Sequence, residues 1–411
     1  MRKLAFLSTC CFLLLFIHAC TTDYLDEKGE NLNAEGRTSA EGSIQNSLDE
    51  FLGNYEVVEI DAARILEYTL NQGKENTFLL DLQMESHPGW IFNVDFIEVY
   101  DENYKAYESD ESGNWIEVAP GRSDTYHGDS RDRKANAIFS VNDHYFSGLI
   151  FEGTDEYIID PVSLYVRGAS PNSYVIYKSG DDLTERTLFC DNRDFEPTRD
   201  IGNTENRQMA NCRELSISYV ADYHYYLNRG NSNTTTTRNF INDRVKFASY
   251  RYWSYNDYPL YFWLFSSAVR TNTTNQPSSA TNTSDALSQF RSWGQAGNMS
   301  VGDANILFAG RNFGSAFGRA YTSTTCKTSG GKRTAYAIVT NSSSASSSSV
   351  WNKVVAHEVG HNLSASHTTT GFMKQGDHSN SAMASTTVTE LNNYIAGNNG
   401  CMPLKTCVGW R

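Results

Sequence analysis

Between positions 357 and 367 the chain reads His357-Glu358-Val359-Gly360-His361-Asn362-Leu363-Ser364-Ala365-Ser366-His367. This string limits what the surrounding residues can build. Val350, Val354, Val355 and Val359 recur at the spacing of one helix face, which predicts a helix over residues 350–363. Residues four apart on a helix lie one turn apart on the same side, so His357 and His361 can present imidazole nitrogens to one ion. Zinc suits such ligands, and a catalytic zinc keeps three protein ligands and one open position. Glu358 stands beside the first ligand, placed to take a proton from an attacking water. His367 lies six residues after His361 and can be the third ligand if the helix stops and the chain turns back. His378 is an alternative third ligand.

The string resembles the metzincin zinc-peptidase motif, His-Glu-x-x-His-x-x-Gly-x-x-His followed by a Met-turn. Its surroundings resemble the reprolysin (adamalysin, ADAM-type) branch. Asp303-Ala304-Asn305-Ile306-Leu307-Phe308-Ala309-Gly310, Gly318-Arg319-Ala320-Tyr321 and Cys326 are similar to that family's strands and its first core cysteine. Gly371-Phe372-Met373 sits where the Met-turn is expected, with Met383 as an alternative, and the stretch from Leu391 to Cys401 is similar to the closing helix and terminal cysteine. The resemblance covers residues 212–403. It implies an α/β fold whose catalytic domain is a mixed, mostly parallel twisted sheet with helices. It also implies Zn2+ held by His357, His361 and His367, Glu358 as general base, Met373 beneath the metal, and hydrolysis of protein or peptide substrates. Two positions depart from the pattern. Ser364 replaces the glycine that ends the helix with positive φ, at a cost of about 1 kcal/mol, and Thr368 stands where an Asp commonly follows the third His. Ser364 is the one feature favouring the alternative reading, a surface adhesion or binding lipoprotein that keeps the fold with weak or no catalysis.

The N-terminus carries Arg2 and Lys3, an apolar stretch over 4–19, and Ile17-His18-Ala19-Cys20. These resemble a bacterial lipoprotein signal peptide over 1–20, which implies acylation of Cys20 as a lipid anchor. With Thr21 next, the expectation is an exported lipoprotein of the outer membrane or cell surface, with release possible after processing. Residues 21–50 read as a polar tether. Residues 51–190 carry short strand-like runs at 55–60, 78–82, 138–141, 146–151, 157–160 and 174–177, separated by Gly, Asn and Asp, and read as a β-rich domain. Residues 191–211 read as an exposed linker, residues 212–411 as the catalytic domain, and 342–349 as a low-complexity loop.

Charge divides the chain in the same place. Residues 21–200 hold 38 acidic and 14 basic residues, net −24, whereas residues 201–411 are net +8. The overall −14 argues against a nucleic-acid partner, and the opposite signs favour docking of one half on the other. The acidic half is similar to the reprolysin propeptide at Tyr126-His127-Gly128 and in the strands that follow, which implies a prodomain that inhibits its own catalytic domain. Cys190 follows that region, and its thiolate could fill the open zinc position; a disulfide is the other reading. By the resemblance Cys326 pairs with Cys401, which leaves Cys212 for Cys407. Arg193, Arg199 and Arg207 are candidate processing points. Asp222 and His224 read as a structural polar pair.

Overall fold

The computed structural model describes residues 16–17, 44–74, 77–84, 87–183, 189–190, 211–255, 260–313, 316–340, 347–375, 383–398 and 400–406. In chain order the N-terminal half holds β1 (Phe16–Ile17), β2 (Tyr55–Glu59), α1 (Ala62–Gln72), β3 (Phe78–Leu82), β4 (Trp90–Ile97), β5 (Tyr100–Ser109) and β6 (Trp115–Val118). It continues with β7 (Ser123–Ser130), β8 (Ala135–Asn142), β9 (Phe146–Glu152), β10 (Asp155–Pro161), β11 (Ser173–Lys178) and β12 (Phe189–Cys190). The C-terminal half holds β13 (Asn211–Ala221), α2 (Tyr223–Asn228), α3 (Thr234–Tyr255), β14 (Leu260–Val269), α4 (Thr283–Trp293), β15 (Ala304–Ala309) and β16 (Ala316–Ala320). After these come β17 (Thr328–Ser329), β18 (Lys332–Arg333), β19 (Tyr336–Thr340), α5 (Ser348–Asn362), α6 (Ser385–Gly397) and β20 (Leu404–Thr406).

Two large sheets result, and the expected α/β class holds. The first runs β1-β3-β4-β7-β8-β9-β10-β11-β2 and is antiparallel apart from the β1–β3 pair. Strands β8 to β11 are buried almost along their whole length because both of their faces are covered. Along β8 to β11 the residues alternate: Phe139, Ile150, Ile159 and Ile176 face a core shared with α1. Their neighbours Ile138, Leu149, Ile158 and Val175 belong to a different core, shared with Val245 of α3 and Trp351 of α5. The period of two thus sorts one strand's residues between two layers.

The second sheet runs β12-β16-β19-β15-β13-β14-β5-β6, with β20 on β13. Its centre is parallel, as expected of the catalytic sheet, and β16 runs antiparallel to β19. Ile217, Tyr219, Ile306 and Phe308 face α3 and α5, while Val220, Leu307 and Ile338 face α4 through Leu287 and Phe290. The layers are therefore α1, the first sheet, the pair α3 and α5, the second sheet, and α4.

Several features were not fully legible in the sequence. The hairpin β5–β6 lies in the β-rich N-terminal region but hydrogen-bonds to β14 in the second sheet; strand patterning states that residues pair, not with which sheet. The sequence reads as a helix over 236–250, and the observed helix extends over Thr234–Tyr255. Helix α4 and strand β14 carried no pattern distinct enough to place them. Of the serine-rich stretch 342–349, Ser347 caps α5 and Ser348 and Ser349 form its first turn, because serine is a good N-cap; residues 342–346 lie outside the described residues. Among the described residues no helix is long and apolar enough to cross a membrane.

Candidate metal centre

Helix α5 lies between the two sheets, and all its residues are buried. Its last two turns carry His357, Glu358 and His361. The helix ends where Leu363 N–H donates to the carbonyls of Val359 and Gly360, and Ala365 N–H reaches back to Gly360 O at 2.8 Å. Ser364 adopts φ +77°, the left-handed conformation this reversal needs, and the Ser323 hydroxyl donates to its Oγ at 2.7 Å. The turn brings His367 back over the helix. His357, His361 and His367 each offer a ring nitrogen, all within 4.8 Å of one another.

The ring orientations are set by backbone carbonyls. His357 Nδ1–H donates to Phe372 O at 2.7 Å, and His361 Nδ1–H donates to Ala365 O at 2.8 Å. A carbonyl only accepts, so these two rings carry their proton on Nδ1 and offer Nε2 toward the cluster. His361 Nε2 lies 3.0 Å from His357 Nε2 and 3.2 Å from His367 Nε2. Burial, and next the nearby His367, push the His361 pKa down to about 3, against the pull of the Ala365 carbonyl, so that imidazole is neutral. Three imidazoles with converging Nε2 atoms suit zinc. Its bonds to nitrogen of about 2.0–2.1 Å put tetrahedral donors about 3.3 Å apart. The residues present fit the ion, and the carbonyls behind them supply the orienting shell such ligands need.

Glu358 is buried and faces strand β16. A Cβ on Gly318 would stand 2.2 Å from Glu358 Oε1, so only a glycine lets that strand approach the carboxylate so closely. Met373 is 1 % exposed and packs under the helix. A Cβ on Gly360 would stand 2.7 Å from Met373 Sδ and 3.0 Å from Tyr252 Oη. Tyr252, from α3, donates to Ala356 O at 2.7 Å and supports the turn that carries the ligands. Burial and then the Glu358 charge hold the Tyr252 phenol well above its ordinary pKa, so it stays a donor.

Residues 211–403 match a family profile, Reprolysin_5, described as Metallo-peptidase family M12. This part of the chain belongs to the M12 metallopeptidases. Among solved structures, the crystal structure of metalloproteinase-II from Bacteroides fragilis is similar in fold. It has a TM-score of 0.49 and 13% identity, covering 82% of this chain and 95% of that chain. No curated protein matches the sequence.

Several further residues find their places around the M12 domain. Cys326 and Cys401 form a disulfide. Cys212 lies on β13, beside β20, while Cys407, His378 and Cys20 lie outside the described residues. Met383 is partly buried against the core. The β12 backbone runs parallel to β16 and pairs Cys190 with Gly318. Both edges of β16 are thus paired, one to β19 and one to β12. Asp222 caps α2 by accepting from Tyr225 N–H at 2.7 Å, and also accepts from Gly310 N–H at 2.9 Å. Sequence reasoning missed Tyr252, Gly318 and the carbonyls of Phe372 and Ala365. No local signal marks them, since each acquires its role by tertiary approach.

Proposed function

We propose that the chain is an exported zinc endopeptidase made as a zymogen, with His357, His361 and His367 as zinc ligands and Glu358 as general base. The observation that carries this reading is the convergence of three Nε2 atoms on the helix turn that also carries a buried carboxylate facing β16. When bound, zinc acidifies water and polarises a peptide carbonyl. Glu358 takes the water's proton on a carboxylate oxygen and hands it to the departing amine. An extended substrate pairs along the outer edge of β16, in the manner of strand addition, which brings its scissile bond past Gly318 and Glu358. Met373 and Tyr252 keep the ligand turn from shifting.

Latency has its own support. The strand β12 holds the β16 edge that a substrate needs, with Cys190 opposite Gly318. Cys190 is proposed as the residue that blocks the metal, and cleavage in the segment 191–210 as the step that frees the edge. Acylation of Cys20 anchors the protein to a bacterial membrane. The adhesion reading leaned on Ser364, but its positive φ and its bond from Ser323 keep the His367 turn and favour an enzyme.

The test uses the full chain and its Glu358→Ala variant, cut in the linker, zinc-loaded, and offered a broad peptide library with and without chelator. Wild type is expected to cleave in a chelator-sensitive way, and the variant to lose at least about a hundredfold in kcat while keeping its zinc. A folded, zinc-loaded wild type that cleaves nothing would sink the proposal. Mass spectrometry of the mature N-terminus tests the anchor: an unmodified terminus ends it.

A further inference from the structure

We infer that the N-terminal half is a permanent subunit of the working enzyme: cleavage between residues 191 and 210 frees β12 from β16 but leaves residues 44–183 bound to the M12 domain. This rests on the zymogen reading above and alters its outcome, since the product is a two-chain peptidase rather than a stripped catalytic domain.

Three independent sets of contacts join the halves, and none involves the linker. The first is backbone pairing. Strand β5 extends the catalytic sheet beside β14, with Ser267 opposite Ala106 and Val269 opposite Glu108. Arg270 secures the hairpin: its guanidinium lies 3.7 Å from the Trp115 ring centre and donates to Gly113 O at 2.6 Å. Without β5, the apolar strand Leu260–Val269 becomes an open sheet edge, a template for aggregation. The second set is buried charge. Arg251 of α3 pairs with Glu156 of β10, at 0% and 1% side-chain exposure, and Lys246 donates to Ser123 Oγ at 2.7 Å. Salt screens such pairs little, and losing one partner leaves the other uncompensated.

The third set reaches the metal helix. At the start of α5, Ser348 N–H and its hydroxyl donate to Asp160, and the Ser347 hydroxyl donates to Asp182. Lys353 Nζ donates to Ser179 Oγ at 2.6 Å. Two buried carboxylates from the N-terminal half thus sit at the positive end of the helix that carries His357, Glu358 and His361, where negative charge is favourable. The half that blocks the cleft through β12 also holds the catalytic helix through Asp160 and Asp182. It follows that a cut enzyme keeps whatever membrane attachment its N-terminus has.

The experiment uses the full chain with a specific protease site introduced between residues 191 and 210. After complete cleavage the sample is run by size exclusion at about 0.1 M and about 1 M salt, where the Debye length falls from about 10 Å to about 3 Å. Each fraction is then resolved on a denaturing gel. Both fragments are expected in equal amounts at the elution volume of the uncut protein, at both salt concentrations. Separation of the fragments at either concentration overturns the proposal. The readout needs no catalysis, so co-eluting fragments without peptidase activity would count against the enzyme reading alone.

Discussion

A serine at position 364 occupies a conformation that glycine adopts without strain. Its φ of +77° costs about 1 kcal/mol or more, and the Ser323 hydroxyl, donating at 2.7 Å, offsets part of that. Position 318 tolerates no such replacement, for a different reason. A Cβ at Gly318 meets Glu358 Oε1 at 2.2 Å and Cδ at 2.6 Å. Glu358 Cγ lies at 2.7 Å as well, in a residue that is 1 % exposed, so the carboxylate is forced aside at a cost to both packing and proton transfer. Gly318→Ala is expected to lower kcat by about a hundredfold or more, with unchanged zinc content and a loss of stability of about 1–3 kcal/mol. Peptide turnover, metal analysis and a thermal melt check this, and turnover within threefold or so of wild type would remove Glu358 from that contact. The histidine spacing was legible in the sequence. Gly318 was not, because its partner lies forty positions away on another element.

Helices α3 and α5 show what patterning can and cannot reveal about an element. The valine periodicity of α5 marked a helix, yet every residue of that helix is buried, so the stripe does not separate core from solvent. Helix α3 reads as polar and is buried just as fully from Arg238 to Arg251. Its Asp243 accepts from Ser147 Oγ at 2.9 Å, Tyr250 donates to Asn136 at 2.8 Å, and Arg238 pairs with Glu108 at 3.1 Å. Buried polar groups need such partners, and the partners come from the other half of the chain, where no local window could find them. The cap on α5 is of the same kind. Asp160 accepts from Tyr165 at 2.8 Å and Tyr177 at 3.0 Å besides Ser348. Asp160→Ala leaves those donors unpaired in the interior and should destabilise the protein by roughly 1–3 kcal/mol. It should also weaken zinc retention against a chelator, since the ligands ride on that helix. An unchanged urea midpoint would rule out the cap.

Over the whole molecule the division of charge takes a structural form. The acidic half supplies Glu108, Asp124, Glu156, Asp160 and Asp182, and the basic half meets them with Arg238, Lys246, Arg251 and the start of α5. Lys246 is the titratable probe of this interface. Burial pushes its pKa down from 10.5 to about 8, against the pull of Asp243, Asp124 and Glu98. The unfolded chain holds that proton up to its ordinary pKa and the folded protein only to about 8. Between those values unfolding takes up protons, so stability rises with pH. Below about 8 the folded state bears the full cost of burying the charge, roughly 3 kcal/mol. Urea midpoints of wild type should therefore climb from about pH 7.5 to about pH 9.5, and Lys246→Met should flatten the slope. A wild-type midpoint that falls across that range would show that Lys246 stays charged in the fold.

The sequence by itself determined the class of the second half and the direction of its chemistry. Two histidines one helical turn apart, a carboxylate between them and a third histidine after a turn are local facts, carried by a period of 3.6 and a few intervening residues. Strand alternation likewise marked β-rich structure in the first half. Only the tertiary structure decided that the β5–β6 hairpin joins the catalytic sheet, that β12 lies on β16, and that α3 and α5 are enclosed by both halves. Those outcomes depend on which strand edges meet and which buried charges find each other. Such pairings join residues 95 or more positions apart, and no local period encodes them.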